Sequence, residues 1–110
     1  MASAIGDFEQ RILFALIHLG ADAYGVTIRN EIEARTGRVV AAGALYTALD
    51  RLEKRGMVSS CLGDPTPARG GKRKRLYTVE PAGERALAHV YESLRLMASG
   101  LRTRLKSAKG

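Results

Sequence analysis

The chain has 110 residues, a formal net charge of +7 and 45% hydrophobic residues. That length suits one domain, or a small domain with an extension, and the apolar share is enough for a small core. No apolar run approaches the ~20 residues of a membrane span, the N-terminus lacks the basic-then-apolar pattern of a signal peptide, and the single cysteine, Cys61, excludes an intramolecular disulfide and a cysteine-based zinc cluster. The cytoplasm is the location this composition implies, with no membrane partner. The charge is uneven along the chain. Residues 1–64 hold 7 basic and 8 acidic side chains, whereas residues 65–110 hold 11 basic and 3 acidic ones. A basic second half points to a polyanion, with nucleic acid ahead of membrane.

The first segment, "GDFEQRILFALIHLG", carries Ile5, Phe8, Ile12, Leu16 and Leu19 at helical spacing, with Leu13, Phe14 and Ile17 on its other faces. A helix apolar nearly all round needs cover on both sides. The second, "AYGVTIRNEIEARTG", puts Tyr24, Ile28 and Ile32 on one stripe. The third, "AAGALYTALDRLEKRG", puts Leu45, Leu49 and Leu52 on one stripe, with Ala48 beside it. Gly20, Gly37 and Gly56 each follow a helical segment and read as left-handed residues past a helix end. Only "GRVVA" separates the second and third helices, which matches a helix-turn-helix.

After Gly56 the pattern changes. "MVSSCL" and "RLYTVE" read as two short strands. Between them lies "GDPTPARGGKRK", a Pro- and Gly-rich basic loop. Three helices followed by a hairpin with a basic tip is the order of a winged helix. "RGGKRKR" is then the wing, with glycines that let the backbone approach a partner and cations that reach phosphates. The last segment starts near Pro81 and reads as one helix to about Lys106. Leu87, Val90, Leu94, Met97 and Leu101 repeat in a heptad-like seam, with Tyr91, Ala98 and Leu105 in an adjacent row. Gly100 weakens this helix by roughly 1 kcal/mol relative to Ala. A helix this long overhangs its domain, so a homodimer is expected. Its interface is assigned to Phe8, Ile12 and Leu16 of the first helix and Leu87, Val90, Tyr91, Leu94, Met97 and Leu101 of the last. The expected fold is mainly α with a small β-hairpin. A winged helix-turn-helix occupies residues 1–80, and a C-terminal dimerisation helix with a basic tail occupies residues 81–110.

"YGVTIRNEIEARTG", "GALYTALDRLEKRGMV" and "GDPTPARGGKRKRLYTVEPAGERAL" together resemble the PadR family of bacterial winged-helix transcriptional regulators, most of all its short subfamily with one C-terminal helix. The similarity is nearly collinear from about residue 7 to residue 97. It implies a homodimer that binds a double-stranded DNA operator, usually as a repressor, and that a ligand or other signal commonly releases. Three departures stand out. Ala41 and Ala42 occupy positions where the family often has a Ser or Thr cap, whose loss typically costs about 1 kcal/mol. Glu80 stands where Thr often precedes the Pro of the last helix. The chain has no Trp, so the drug-sandwiching Trp pair of some short members has no counterpart.

The candidate DNA contacts follow from the helix order. Thr47 and Ala44 lie on the N-terminal half of the third helix, where base edges are met. Ala42 and Gly43 offer backbone N–H groups to phosphate. Tyr46 reads either as a packing tyrosine with a solvated hydroxyl or, as the resemblance implies, as a phosphate contact. Arg51 reaches a phosphate or pairs with nearby acids. Tyr24 either touches DNA backbone or packs. Arg69, Gly70, Gly71, Lys72 and Arg73 form the wing tip. At most one of Lys74 and Arg75 points to DNA, because strand side chains alternate. Cys61 reads as an inert thiol, since its neighbours give no reason for a lowered pKa. His18 and His89 have no companions at metal-ligand spacing. No catalytic constellation stands out, so no enzyme and no cofactor are expected. A small apolar or aromatic effector would fit an apolar cleft between the subunits, near the first and last helices. The other reading open to the chain is a winged helix that binds an acidic protein through its basic wing.

Overall fold

Residues 5–64 and 73–109 are described by a computed structural model of the chain. The elements run α1 (Asp7–Leu19), a short 3-10 turn (Gly20–Asp22), α2 (Gly25–Thr36), α3 (Ala42–Lys54), β1 (Val58–Leu62), β2 (Arg75–Val79), α4 (Pro81–Ala98) and α5 (Arg102–Ala108). This is the mainly helical winged helix-turn-helix with one hairpin that the sequence leads one to expect.

The apolar stripes assemble the core. Ile12 and Leu13 of α1, Ile28 of α2, and Leu45, Leu49 and Leu52 of α3 are fully buried against one another. Gly20, Gly37 and Gly56 all have positive φ, as helix-ending glycines often do. The turn between α2 and α3 is held from the side as well. Arg29 Nε donates to the Val40 carbonyl at 2.8 Å, so the charged stem of α2 fixes the entry to α3.

The hairpin is antiparallel, with Val58 opposite Val79 and Ser60 opposite Tyr77. Val58 and Tyr77 point inward and are buried. The Tyr77 N–H donates to the Ala23 carbonyl at 2.9 Å, which ties β2 to the start of α2. Glu9 is the one buried charge in the described core. Its Oε1 accepts the Gly6 N–H at 2.9 Å and lies 3.6 Å from the Arg55 guanidinium, while Oε2 has no hydrogen-bond partner. Arg55 caps the C-terminal end of α3, so this ion pair links α1 to that end.

One expectation is corrected. The last segment is two helices rather than one. Ser99 leaves the helical path at ψ 129, and Gly100 follows at φ 82. Ser and Gly are poor helix formers, and a left-handed Gly turns the chain. The Leu101 N–H then donates to the Ala98 carbonyl at 2.9 Å, and α5 begins afresh. Of the residues assigned to the dimer interface, Ile12, Leu16 and Leu87 are buried inside their own chain, at 0%, 3% and 4% exposure. Phe8 and Val90 are half-buried on the same core. The uncovered apolar side of α1 is Phe14 and Ile17. On α4 and just beyond, Tyr91, Leu94, Leu96, Met97 and Leu101 are exposed.

The start of α4 lies so close to the β1 entry that only glycine fits. A Cβ on Gly83 would sit 2.3 Å from the Met57 carbonyl oxygen, which also accepts the Glu80 N–H at 2.9 Å. Gly83→Ala is expected to lower unfolding stability by about 1 to 3 kcal/mol through overpacking. Thermal melting checks this; an unchanged melting temperature would show that α4 can move off Met57 without loss.

Candidate nucleic-acid interface

Burial of one α3 stripe dictates what its opposite side presents. At 3.6 residues per turn, Gly43, Thr47, Asp50 and Lys54 form one row directly away from Leu45, Leu49 and Leu52. All four are exposed. The row is small toward its N-terminal end and ionic toward its C-terminal end, where Lys54 Nζ lies 3.0 Å from Asp50 Oδ2. Ala44 and Arg51 flank it on one side and Tyr46 on the other. Ala41 is the N-cap and makes no side-chain cap bond, so among the described residues no side chain claims the first-turn N–H groups at Ala42 and Gly43.

Tyr46 is half exposed, and its hydroxyl overlies the first residue of α2. A Cβ added at Gly25 would meet the Tyr46 Oη at 2.1 Å. Gly25 therefore lets the phenol lie flat across the start of α2. Tyr24 precedes it as the N-cap, and its N–H donates to Thr27 Oγ1 at 3.0 Å. Lys74 Nζ stands 4.3 Å from the centre of the Tyr24 ring, a cation–π contact that joins the hairpin to α2. Tyr24, Tyr46 and Lys74 thus converge where α2 begins.

The hairpin base is ordered by its own cations. Arg73 Nε donates to the Gly63 carbonyl at 2.8 Å, and the Gly63 N–H donates to the Lys74 carbonyl at 2.7 Å. Arg75 lies exposed along the hairpin and donates to Ser60 Oγ at 3.1 Å. Ser60 in turn donates to the Glu53 carboxylate at 2.9 to 3.0 Å. This Arg–Ser–Glu relay braces the wing against α3. No sequence signal marks it, because residues 53, 60 and 75 share no sequence period. Beside it, burial pushes the Tyr77 hydroxyl above its ordinary pKa, and the positive charge of Arg75 partly opposes that shift. Arg69, Gly70, Gly71 and Lys72 lie outside the described residues. Cys61 is exposed, and no group of metal-binding side chains occurs among the described residues. No helix there is long and apolar enough to cross a membrane.

Residues 13–89 match the family of PadR-like transcriptional regulators. No curated protein matches the chain. Solved structures do. A transcriptional regulator from Clostridium thermocellum is 28% identical, with a TM-score of 0.67 over 86% of this chain and 89% of its own. The hsRosR-S4 complex contains a chain 26% identical, with a TM-score of 0.71 over 97% of this chain and 88% of its own. A PadR family transcription regulator from Clostridium difficile shares the fold, with a TM-score of 0.73 at 21% identity over 91% of this chain and 99% of its own. A family match over residues 13–89 spans α2, α3, the hairpin and the start of α4. The chain belongs to the PadR-like family of transcriptional regulators.

Proposed function

We propose that the protein binds a two-fold symmetric DNA operator as a homodimer and represses transcription there until a small apolar or aromatic effector releases it. The observation that carries the DNA reading is the outward row of α3, small at its N-terminal end and unobstructed, as a recognition helix in a major groove must be. Thr47 and Ala44 meet base edges in this reading. Ala42 and Gly43 offer N–H groups to a phosphate, Tyr24 and Tyr46 approach the backbone, and Arg51 reaches it from the far flank. Arg69, Gly70, Gly71, Lys72 and Arg73 grip the flanking DNA as the wing. The protein acts in the cytoplasm, where its operator is held.

Support for the dimer comes from unfilled apolar surface. Leu94 and Met97 are 61% and 77% exposed on α4, and Phe14 and Ile17 are uncovered on α1. A second copy would bury both faces at once and set two α3 helices about 34 Å apart, one turn of DNA. A cleft between α1 and α2, lined by Phe14, Ala15 and Ile32 together with the charged Arg11, Glu31 and Arg35, borders the same α1 face. It is where an effector would alter the dimer and hence the helix spacing.

Three experiments test this reading. Leu94→Asp places a charge in the proposed seam but on a side chain exposed in the protomer. It is expected to give a folded monomer by light scattering and circular dichroism, and a folded dimer would remove α4 from the interface. Arg69→Ala with Lys72→Ala removes four charges per dimer. If all four meet phosphates, the slope of log K against log salt shrinks by about 3 to 4, at ~0.9 per contact. An unchanged slope means the wing does not touch DNA. Gly25→Ala forces the Tyr46 hydroxyl aside while keeping the helix intact. Loss of one hydrogen bond at about 1 kcal/mol gives a roughly 5-fold lower affinity per half-site. Tyr46→Phe should show the same loss, with little change in melting temperature for either variant.

A further inference from the structure

We propose that the Asp50–Lys54 pair on α3 is a specificity device that reads one C·G base pair in each half-site. The inference rests on the DNA-binding reading above, and its chemistry starts from an anomaly. A carboxylate sits third of the four positions on the row that would enter the groove, in the C-terminal half of α3, with its side chain 63% exposed. Phosphates repel it. Both a carboxylate and a phosphate only accept hydrogen bonds, so Asp50 can gain nothing from the DNA backbone. It can only accept from a base. Two donors face the major groove, cytosine N4 and adenine N6. Adenine carries its N7 acceptor beside that donor, which opposes a carboxylate. Cytosine carries only a C–H there. Asp50 therefore selects cytosine.

Lys54 completes the match. Its Nζ lies 3.0 Å from Asp50 Oδ2, one turn further along the same exposed row. Neither residue forms another ion pair among the described residues. The pair thus presents one acceptor beside one donor. The major-groove edge of a C·G pair presents the complement, the cytosine N4 donor beside the guanine O6 and N7 acceptors. The lysine charge also offsets the carboxylate charge, which lets an acid approach DNA. Thr47 sits one turn nearer the N-terminus of the helix, so the base pair read by Asp50 lies next to the one met by Thr47.

The test uses the full chain. A preferred duplex is first selected from a random-sequence pool. The wild type, Asp50→Ala and Asp50→Asn are then titrated against that duplex, its single-base variants and random DNA. The wild type should lose roughly 5- to 150-fold when one C·G pair per half-site is replaced. Asp50→Ala should flatten the preference at that position alone and bind random DNA as well as the wild type or better, because a charge facing phosphates is gone. Asp50→Asn should move the preference toward A·T, since an amide offers both a donor and an acceptor to adenine. The inference is overturned if Asp50→Ala keeps the wild-type preference at every position, or if it weakens all duplexes equally. A wild type with no preferred sequence would instead overturn the operator reading itself, and the inference with it. Circular dichroism of each variant excludes misfolding as the cause.

Discussion

Burial of Leu45, Ala48, Leu49 and Leu52 against α1 and α2 is the contact on which the rest of the protein depends. Each buried leucine is worth about 1.5 to 3 kcal/mol, more than a single polar contact here can supply. A helix has one period, so committing this stripe to the core also commits the opposite one to solvent. Gly43, Thr47, Asp50 and Lys54 have no freedom to face elsewhere. The exposed row on α3 is therefore a consequence of core packing.

Polar contacts then fix the joints that apolar burial leaves loose. Arg29 holds the turn before α3 through the Val40 carbonyl. Glu9 and Arg55 hold the end of α3 to α1. The relay from Arg75 through Ser60 to Glu53 holds the hairpin to α3. Each of the three begins or ends on α3 or its boundary. Removing one partner of a buried pair costs more than the pair contributes, because the other charge is left unsatisfied. That asymmetry applies most strongly to Glu9, whose second carboxylate oxygen already has no hydrogen-bond partner.

The far half of α4 stands apart from this economy of contacts. Leu87 is buried and Val90 half-buried on the domain, yet from Tyr91 onward every residue of α4 is exposed. The helix leaves the core behind within one turn. The turn at Ser99 and Gly100 then redirects the chain, so Leu105 on α5 does not extend the α4 row along one straight axis. The apolar surface is consequently split between two short lengths of helix, and the long uninterrupted seam suggested by the heptad spacing does not form.

Much of this fold is set by local features of the chain. Helix stripes, the two short strands, the glycines past the helix ends and the family motifs from Tyr24 to Leu87 are local signals, set by period and by backbone freedom, and they are readable residue by residue. Those signals were enough for the winged helix and for the place of α3 within it. Which apolar faces are already used depends on how the helices pack. Phe14 and Ile12 are equally apolar in the sequence, but packing against α2 and α3 leaves one exposed and buries the other. Tertiary packing also decided the partners that link distant positions, such as Tyr46 over Gly25, Lys74 over Tyr24 and Ser60 between Glu53 and Arg75. Such pairs follow no period, because they form where separate elements meet in space. The exposed row of α3 sits between these cases: its spacing was legible from the start, and only the packed core made it a surface.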